Sequence, residues 1–405
     1  MKILMVHNEY GRLSGEEIVV NGVRRLLGEH GHKVISFIRS SAEIETMRWG
    51  KARAFFSGIY SRSSRLMMRR LLAKDRPDVV HIHNLFSLIS PSILPECRRA
   101  SVPVVMTVHN YRLVCPNGLH IVRGQVCEKC CGGREWWCVL RNCEGSFPKS
   151  FGYALRNYVA RKRRFFVDNV TTFAVLTEFQ RQRLISEGFP AERIAVIPNM
   201  AGKDGPLADE MLGNPGHFVG YVGRISQEKG IRTLLAVARK CPKIPFRAAG
   251  GHNGKQQMHM QAPANFQSMG YLDPQSTAEF YDSARIIVLC SVCFEGFPMA
   301  IVEAMIHGKP VICSRIGGLP EIVEDGKTGL LFEPGNAVEL AKKIRYLWDR
   351  PQLCRKMGQV AREKALRENS ATKHYERLMA VYRRATELAA GVWQGSTREG
   401  SEKDI

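Results

Sequence analysis

The chain has 405 residues and carries 59 Lys and Arg against 38 Asp and Glu, a formal charge of +21. That length supports two or three domains with sizeable cores and excludes dependence on metals or disulfides to hold a small core together. The charge points to an anionic partner, whether nucleic acid, an acidic lipid surface or a phosphorylated substrate. No segment approaches the ~18 uninterrupted apolar residues of a membrane-spanning helix. Met1–Val6 is too short for the apolar core of a signal peptide, so a cytoplasmic protein is expected. In that compartment the twelve cysteines read as thiols or metal ligands rather than disulfides.

Lys2–Val6 reads as a first strand. The loop His7–Gly15 leads to a helix with one apolar face, Ile18, Val19, Val23, Leu26 and Leu27, closed by Gly28 and Gly31 before a second strand at Val34–Ile38. Gly15, just before the helix, would let backbone approach a pyrophosphate; the alternative is a simple turn glycine. Residues 43–76 read as helical, with Arg62, Arg65, Arg69, Arg70, Lys74 and Arg76 among Leu66, Met67, Met68, Leu71 and Leu72. Asp78–Asn84 and Val102–Asn110 are apolar runs ending in polar residues, and both read as strands. Ligands of open α/β sheets bind beyond the carboxyl ends of strands, which places His109 where chemistry is expected. His81 carries no such assignment.

The next stretch holds Cys115, Cys127, Cys130, Cys131, Cys138 and Cys143, with Trp136 and Trp137 between them. Cys127-x-x-Cys130 puts two thiolates within reach of one ion, and Cys138 with Cys143, or Cys115, would complete a tetrahedral set. A structural zinc knuckle is the hypothesis, ordering a long insertion with little apolar area of its own. The alternative is reduced cysteines packed around the tryptophans. Phe147–Val167 then resumes a helix, with Arg156, Arg161, Lys162, Arg163 and Arg164 beside Phe151, Tyr153, Tyr158, Phe165 and Phe166. Two polybasic amphipathic segments in one half of a chain suit an anionic membrane surface.

Val170–Leu176 and Ile194–Asn199 read as the last strands of a first domain, and an aperiodic Gly, Asp, Pro and Asn stretch follows as a linker. His217–Ile225 opens a second domain as a strand. Gln227–Gly230 begins its first helix, with Arg224 and Lys229 flanking the turn, where a guanidinium fork and a point charge would neutralise a diphosphate. Ile244–Ala249, Ala264–Leu272 and a helix from Asp273 to Ala284 continue the βα alternation. The β-branched run Arg285–Ser291 reads as a buried parallel strand, followed by Phe294-Glu295-Gly296-Phe297-Pro298-Met299 and a helix holding Glu303. Gly296 allows a sharp turn, and Pro298 suits the first helical position. The helix mouth is a ready anion site, and two carboxylates beside it suggest recognition of sugar hydroxyls. Lys309–Cys313 is a further strand, Glu321–Glu324 a short helix, Leu330–Phe332 an edge strand, Val338–Trp348 a helix and Ser370–Ala390 a long one.

The pair Glu295 and Glu303 around Gly296-Phe297-Pro298, with Gly308–Val311, Gly317-Gly318, and Gly223-Arg224 followed by Glu228-Lys229-Gly230, resembles the retaining glycosyltransferases of family 4. The resemblance implies an α/β protein of two Rossmann-like domains facing across a cleft, the GT-B architecture. It implies an acceptor-side domain at residues 1–199 with a cysteine-rich insertion at 111–147, a linker at 200–216 and a nucleotide-sugar-binding domain at 217–370. A helix at 371–391 would cross back to the first domain, and 392–405 would be a disordered tail. By the same resemblance Glu295 contacts the donor sugar, as does His109, and Glu303 contacts the ribose. Gly15, Gly223, Gly296, Phe297, Pro298 and Met299 lie along the donor, and Tyr271 and Leu272 lie where the base binds. A subset of the family carries a similar cysteine-rich insertion.

The implied reaction transfers a sugar from a UDP-sugar or GDP-sugar to a hydroxyl of a glycan or lipid-linked glycan in cell-surface polysaccharide synthesis. Arg224 and Lys229 would stabilise the departing phosphate, and no catalytic metal is expected, since no Asp-x-Asp clamp is evident. The protein is expected to be peripheral at the inner face of the membrane. Two other readings are weighed: a nucleic-acid-binding protein using the zinc knuckle and basic helices, and a nucleotide-sugar epimerase of the same fold.

Overall fold

A computed structural model describes residues 1–11, 14–201, 216–251 and 262–398. The expected linker at 200–216 falls almost wholly outside these residues. The chain divides into two compact units. The first comprises Met1–Gly118, Glu128–Pro198 and the chain from His374 onward; the second comprises Leu119–Cys127 and Asn199–Lys373.

The first unit is built on six parallel strands: β1 (Lys2–Glu9), β2 (Lys33–Ser40), β3 (Val79–Asn84), β4 (Val104–Val108), and two later ones, Thr172–Val175 and Ile194–Val196. Their order is β2-β1-β3-β4 followed by the two later strands in sequence. Residues Ile3–Asn8 of β1 and all of β3 and β4 are buried, as expected of parallel strands covered on both faces. The helix Gly15–Glu29 buries Val19, Val20, Val23, Leu26 and Leu27, whereas Ile18 is half exposed. Ile18 lies on the same helical row as the exposed Arg25 and Glu29, and Val20 takes its place on the buried face.

Residues 43–76 form three helices rather than one continuous helix: Glu43–Thr46, Gly50–Ile59 and Arg62–Asp75. Trp49 adopts a left-handed conformation, φ 61°, and Ser61 caps the third helix through the Ser64 amide. The expected Phe147–Val167 helix likewise breaks, ending at Lys162 and restarting at Phe165 after Arg164 at φ 49°. The final helix, Ala371–Arg398, continues past the end expected at 391, because adding residues to an existing helix requires no new nucleation. Residues 399–405 of the expected tail lie outside the described residues. Within the first unit this helix is anchored by Tyr382, whose hydroxyl lies 2.8 Å from His81 Nδ1, and by His374, whose Nδ1 lies 2.9 Å from the Pro198 carbonyl.

The second unit has six parallel strands of its own, β9 (Phe218–Val222), β10 (Phe246–Ala249), β11 (Phe266–Gly270), β12 (Ala284–Leu289), β13 (Val311–Ser314) and β14 (Gly329–Phe332), counting the two later strands of the first unit as β7 and β8 and a small hairpin, Ile121–Val122 with Gln125–Val126, as β5 and β6. Their order is β11-β10-β9-β12-β13-β14, so strand order reverses between β9 and β12. Val219, Tyr221, Leu234, Phe246, Ile286, Val288, Ile312, Phe332, Leu340 and Ile344 form one side of the core. Each such side chain contributes about 1.5–3 kcal/mol on burial. An additional helix, Pro351–Asn369, packs through Cys354, Met357, Ala361 and Ala365, a stripe at helical spacing. Two Rossmann-like α/β units of parallel strands are therefore present, as the sequence predicts.

Candidate functional site

In the second unit the loops after β9 and β12 leave the carboxyl ends of the two strands between which the order reverses, the place where such sheets bind ligands. The β9 loop carries Gly223, Arg224, Glu228 and Lys229. Gly230 ends it at φ 75° as the cap of the helix Ile231–Lys240, which starts one turn later than expected. A Cβ on Gly230 would lie 1.8 Å from the Cys290 carbonyl oxygen, so only glycine lets the two loops meet. The Glu228 carbonyl then accepts the Val292 amide at 3.0 Å, stitching the β9 loop to the β12 loop.

This contact brings Lys229 to Glu295. Lys229 Nζ lies 2.7 Å from both carboxylate oxygens, and the Ser291 hydroxyl donates to Oε1. Burial alone would push the Glu295 carboxyl up, but the Lys229 charge, the hydrogen bonds from Lys229 and Ser291, and Arg224 hold it below its ordinary value. Glu295 is therefore a buried, ionised acceptor with fixed orientation. Arg224 is half exposed and stands 3.6 Å from Glu228, leaving it the more available of the two cations.

The helix Met299–Ile306 begins one residue later than the sequence suggests, with Pro298 as its N-cap in an extended conformation and no side chain capping its first amides. Its open N–H groups and the partly exposed Gly296, Phe297 and Met299 surround the mouth. Glu303, on the fifth residue of that helix, accepts a hydrogen bond from the Tyr281 hydroxyl at 2.8 Å. Burial raises its carboxyl above the ordinary value, opposed by Tyr281 and His307. His307 stacks on Tyr281 and bonds Asp282 at 2.7 Å. Tyr281 and His307 carry no sequence signal of their own, because their partners are distant in the chain. Tyr271 is two-thirds exposed in the loop after β11, beside Leu272.

In the first unit β1, β3 and β4 carry the same dipeptide at or just beyond their carboxyl ends: His7-Asn8, His83-Asn84 and His109-Asn110. The asparagines hold loops. Asn8 Oδ1 accepts the Leu88 amide, Asn84 Nδ2 donates to the Asn8 carbonyl, and Asn110 Oδ1 accepts the Arg112 amide. The histidines form a row, with His7 and His83 rings 6.3 Å apart, His83 and His109 rings 5.2 Å apart, and His83 Nδ1 to His109 Nε2 at 2.9 Å. Burial lowers His7 to about 4 and His109 to about 3, and drives His83 far down, so all three are neutral imidazoles. The triple His-Asn repeat was the signal that would have found His7 and His83 alongside His109. Gly15 opens the neighbouring helix with free space on its Cβ side. Glu16 next to it is pushed up to about 7 by burial and bonded by Tyr10 at 2.9 Å.

Of the cysteines in the zinc hypothesis, Cys115, Cys130, Cys138 and Cys143 fall in the first unit. Among the described residues of the first unit, no three of Cys115, Cys130, Cys138 and Cys143 bring their sulfurs within 4.8 Å of one another. Cys130 and Cys138 are buried with Ala154 against Trp137, Val139 and Cys143, the packing alternative. Cys127 belongs to the second unit, where its amide donates to the His120 carbonyl. Several arginines of the basic segments are also internally committed: Arg65 and Arg69, with Arg99, to Glu96; Arg161 to Glu135; and Arg156 beneath Phe86 and Tyr153. No described helix is long and apolar enough to cross a membrane.

The pattern of "Glycosyl transferases group 1" matches residues 211–364, and that of "Glycosyl transferase 4-like domain" matches residues 14–200. The chain is 31% identical over 180 residues to the sulfoquinovosyl transferase SQD2 of Arabidopsis thaliana, 43% of this chain and 33% of that protein. It is 26% identical over 251 residues to the poly(ribitol-phosphate) alpha-N-acetylglucosaminyltransferase of Staphylococcus aureus, 59% of this chain and 47% of that protein. The chain thus spans a third to a half of the length of these relatives. Among solved structures, Anabaena Alr3699/HepE in complex with UDP and glucose superposes with a TM-score of 0.63 at 18% identity, covering 94% of this chain and 98% of that one. These similarities do not favour the nucleic-acid-binding or epimerase readings. With one matching pattern over each unit and the two-glutamate loop placed at the strand-order reversal, the chain belongs to the group 1 glycosyltransferases.

Proposed function

We propose that this protein transfers a sugar from a nucleotide diphosphate sugar to a hydroxyl of a glycan or lipid-linked glycan, with retention of configuration and without a catalytic metal. The observation that carries this reading is the second unit's loop pair, with Glu295 ionised on Lys229 and Glu303 held by Tyr281 beside an uncapped helix N-terminus. Glu303 would accept the ribose hydroxyls and Glu295 those of the donor sugar. Gly223, Gly296, Phe297, Pro298 and Met299 would line the diphosphate and sugar, and Tyr271 and Leu272 the base. Arg224, with Lys229 and the helix amides, supplies positive charge where the diphosphate leaves. In the first unit His109 would hydrogen-bond a sugar hydroxyl, and Gly15 would leave room for the donor phosphates. UDP and glucose in the HepE structure, and a polymer acceptor in the name of the S. aureus relative, support the choice of substrates.

An anionic membrane surface is the proposed location. Trp49, Phe56 and Leu66 are more than half exposed on the first unit. A groove of about 700 Å³ lined by Tyr60, Arg62, Leu66, Val159 and Arg163 combines apolar surface with cations. The transfer reading is tested by thermal stabilisation with UDP, GDP and their sugars, with and without chelator, on wild type and Glu303→Ala. Stabilisation that survives chelator and is lost in the variant is expected; no stabilisation by any nucleotide would overturn it.

A further inference from the structure

His83 Nδ1 and His109 Nε2, 2.9 Å apart, share one hydrogen bond, and the surroundings decide which ring owns the proton. His83 is 3% exposed, and its other nitrogen, Nε2, is buried with no hydrogen-bond partner. If His109 Nε2–H donated, His83 would accept on Nδ1 and carry its own proton on Nε2, an N–H buried with nothing to receive it. If His83 Nδ1–H donates, Nε2 is a bare lone pair and no donor is orphaned. Unpaired buried N–H groups are the rarer and costlier defect. A charged form of either ring is excluded by the same burial and by neighbouring imidazoles, His81 at 4.2 Å and His7 at 6.3 Å from the His83 ring. His109 is partly exposed, so the proton left to it lies on the accessible Nδ1.

We infer that His83 is a positioning residue that locks His109 as the Nδ1–H tautomer, so that His109 meets a sugar hydroxyl as a hydrogen-bond donor only. The usual preference of a free neutral imidazole for Nε2–H is thus reversed by a neighbour. A fixed donor accepts nothing in return, so the hydroxyl it meets keeps its own proton for another acceptor. This inference rests on the sugar-transfer reading for its use, but the tautomer itself does not.

The test is a long-range ¹H–¹⁵N spectrum of histidine-labelled full-length protein at neutral pH, with His109 assigned through His109→Gln. A neutral Nδ1–H pattern is expected for His109. His83→Phe removes the donor and puts a ring face where an Nε2–H can point, so His109 should turn to Nε2–H. In His83→Asn the amide NH₂ can stand where Nδ1–H stood, and Nδ1–H should persist. Donor-sugar kcat/KM should fall about tenfold in His83→Phe, recover in His83→Asn, and leave UDP affinity unchanged in both. An Nε2–H or charged His109 in the wild type overturns the inference, as does an unchanged tautomer in His83→Phe. Should His83→Phe fail to fold, the wild-type and His83→Asn spectra decide alone. Failure of every nucleotide to bind would instead strike the transfer reading and leave the tautomer result standing.

Discussion

Lys229 and Glu295 form a two-pronged ion pair, 2.7 Å to each oxygen, between residues 66 positions apart and both largely buried. Neither charge is tolerable alone in that place, so the two loops they sit on are fixed together. A lysine that the sequence presents as a free phosphate ligand is in the fold first a partner to the carboxylate.

Lys229→Met should therefore destabilise the second unit by about 3–5 kcal/mol by leaving Glu295 as an uncompensated buried charge. The double variant Lys229→Met/Glu295→Gln should recover most of that stability while remaining inactive. Urea unfolding of the two variants, with donor turnover alongside, checks both halves of the statement. A double variant no more stable than the single one would contradict it.

Tyr281→Phe removes the hydrogen bond that holds Glu303 down against its burial, so the carboxyl should rise further. At neutral pH less of it is ionised, and UDP affinity should drop about five- to tenfold, near the net worth of one ordinary hydrogen bond. The gap from wild type should narrow as pH is raised to 8.5. Calorimetric titration at the two pH values measures it, and equal affinities at neutral pH would exclude the role.

The first unit should weaken on acidification. His7, His81 and His109 are lowered to about 4, 3 and 3 by burial, with His83 and His374 lowered as well, so the folded unit keeps them neutral while the unfolded chain protonates below about 6.5. Their contribution is fully present above 6.5 and is lost toward pH 3–4, by up to about 1.4 kcal/mol per pH unit per histidine. Glu16, raised to about 7, works oppositely, losing its contribution as pH climbs from its ordinary value toward 7. Five groups outweigh one. Hydrogen exchange of β1, β3 and β4 should accelerate between pH 7.5 and 5 after correction for intrinsic rates, and equal protection would count against this reading of the cluster.

Arg163→Glu, at a groove position with no carboxylate partner among the described residues, should weaken binding to anionic vesicles by about 2 kcal/mol, roughly thirtyfold, with no effect on nucleotide binding. Arg65→Glu should instead destabilise the fold, because Arg65 serves the buried Glu96. Vesicle co-sedimentation distinguishes them, and undiminished binding of Arg163→Glu would remove this surface from consideration.

The α/β alternation, the two halves and the two-glutamate loop were legible in the sequence, because buried parallel strands are short β-branched runs and a glycine-proline loop before a helix is local chemistry. His109 was legible for the same reason, standing at a strand end. The breaks at Trp49 and Arg164 were not, since a left-handed residue in a polar helical run has no hydrophobic signature. Nor was the fate of the basic segments, where Glu96 takes Arg65 and Arg69 from a helix about thirty positions back along with its neighbour Arg99.

By itself, then, the sequence determined the strands, the order of units and the two-glutamate loop, all of which follow from residues within a few positions of one another. Only the tertiary structure decided which groups are charged and which proton each holds. Those depend on burial and on partners far apart in the chain: Lys229 for Glu295, Tyr281 for Glu303, and His83 for His109. The cysteines show the same division. Their spacing allows a metal, and only the tertiary structure shows that Cys130 and Cys138 pack with Ala154 against Trp137.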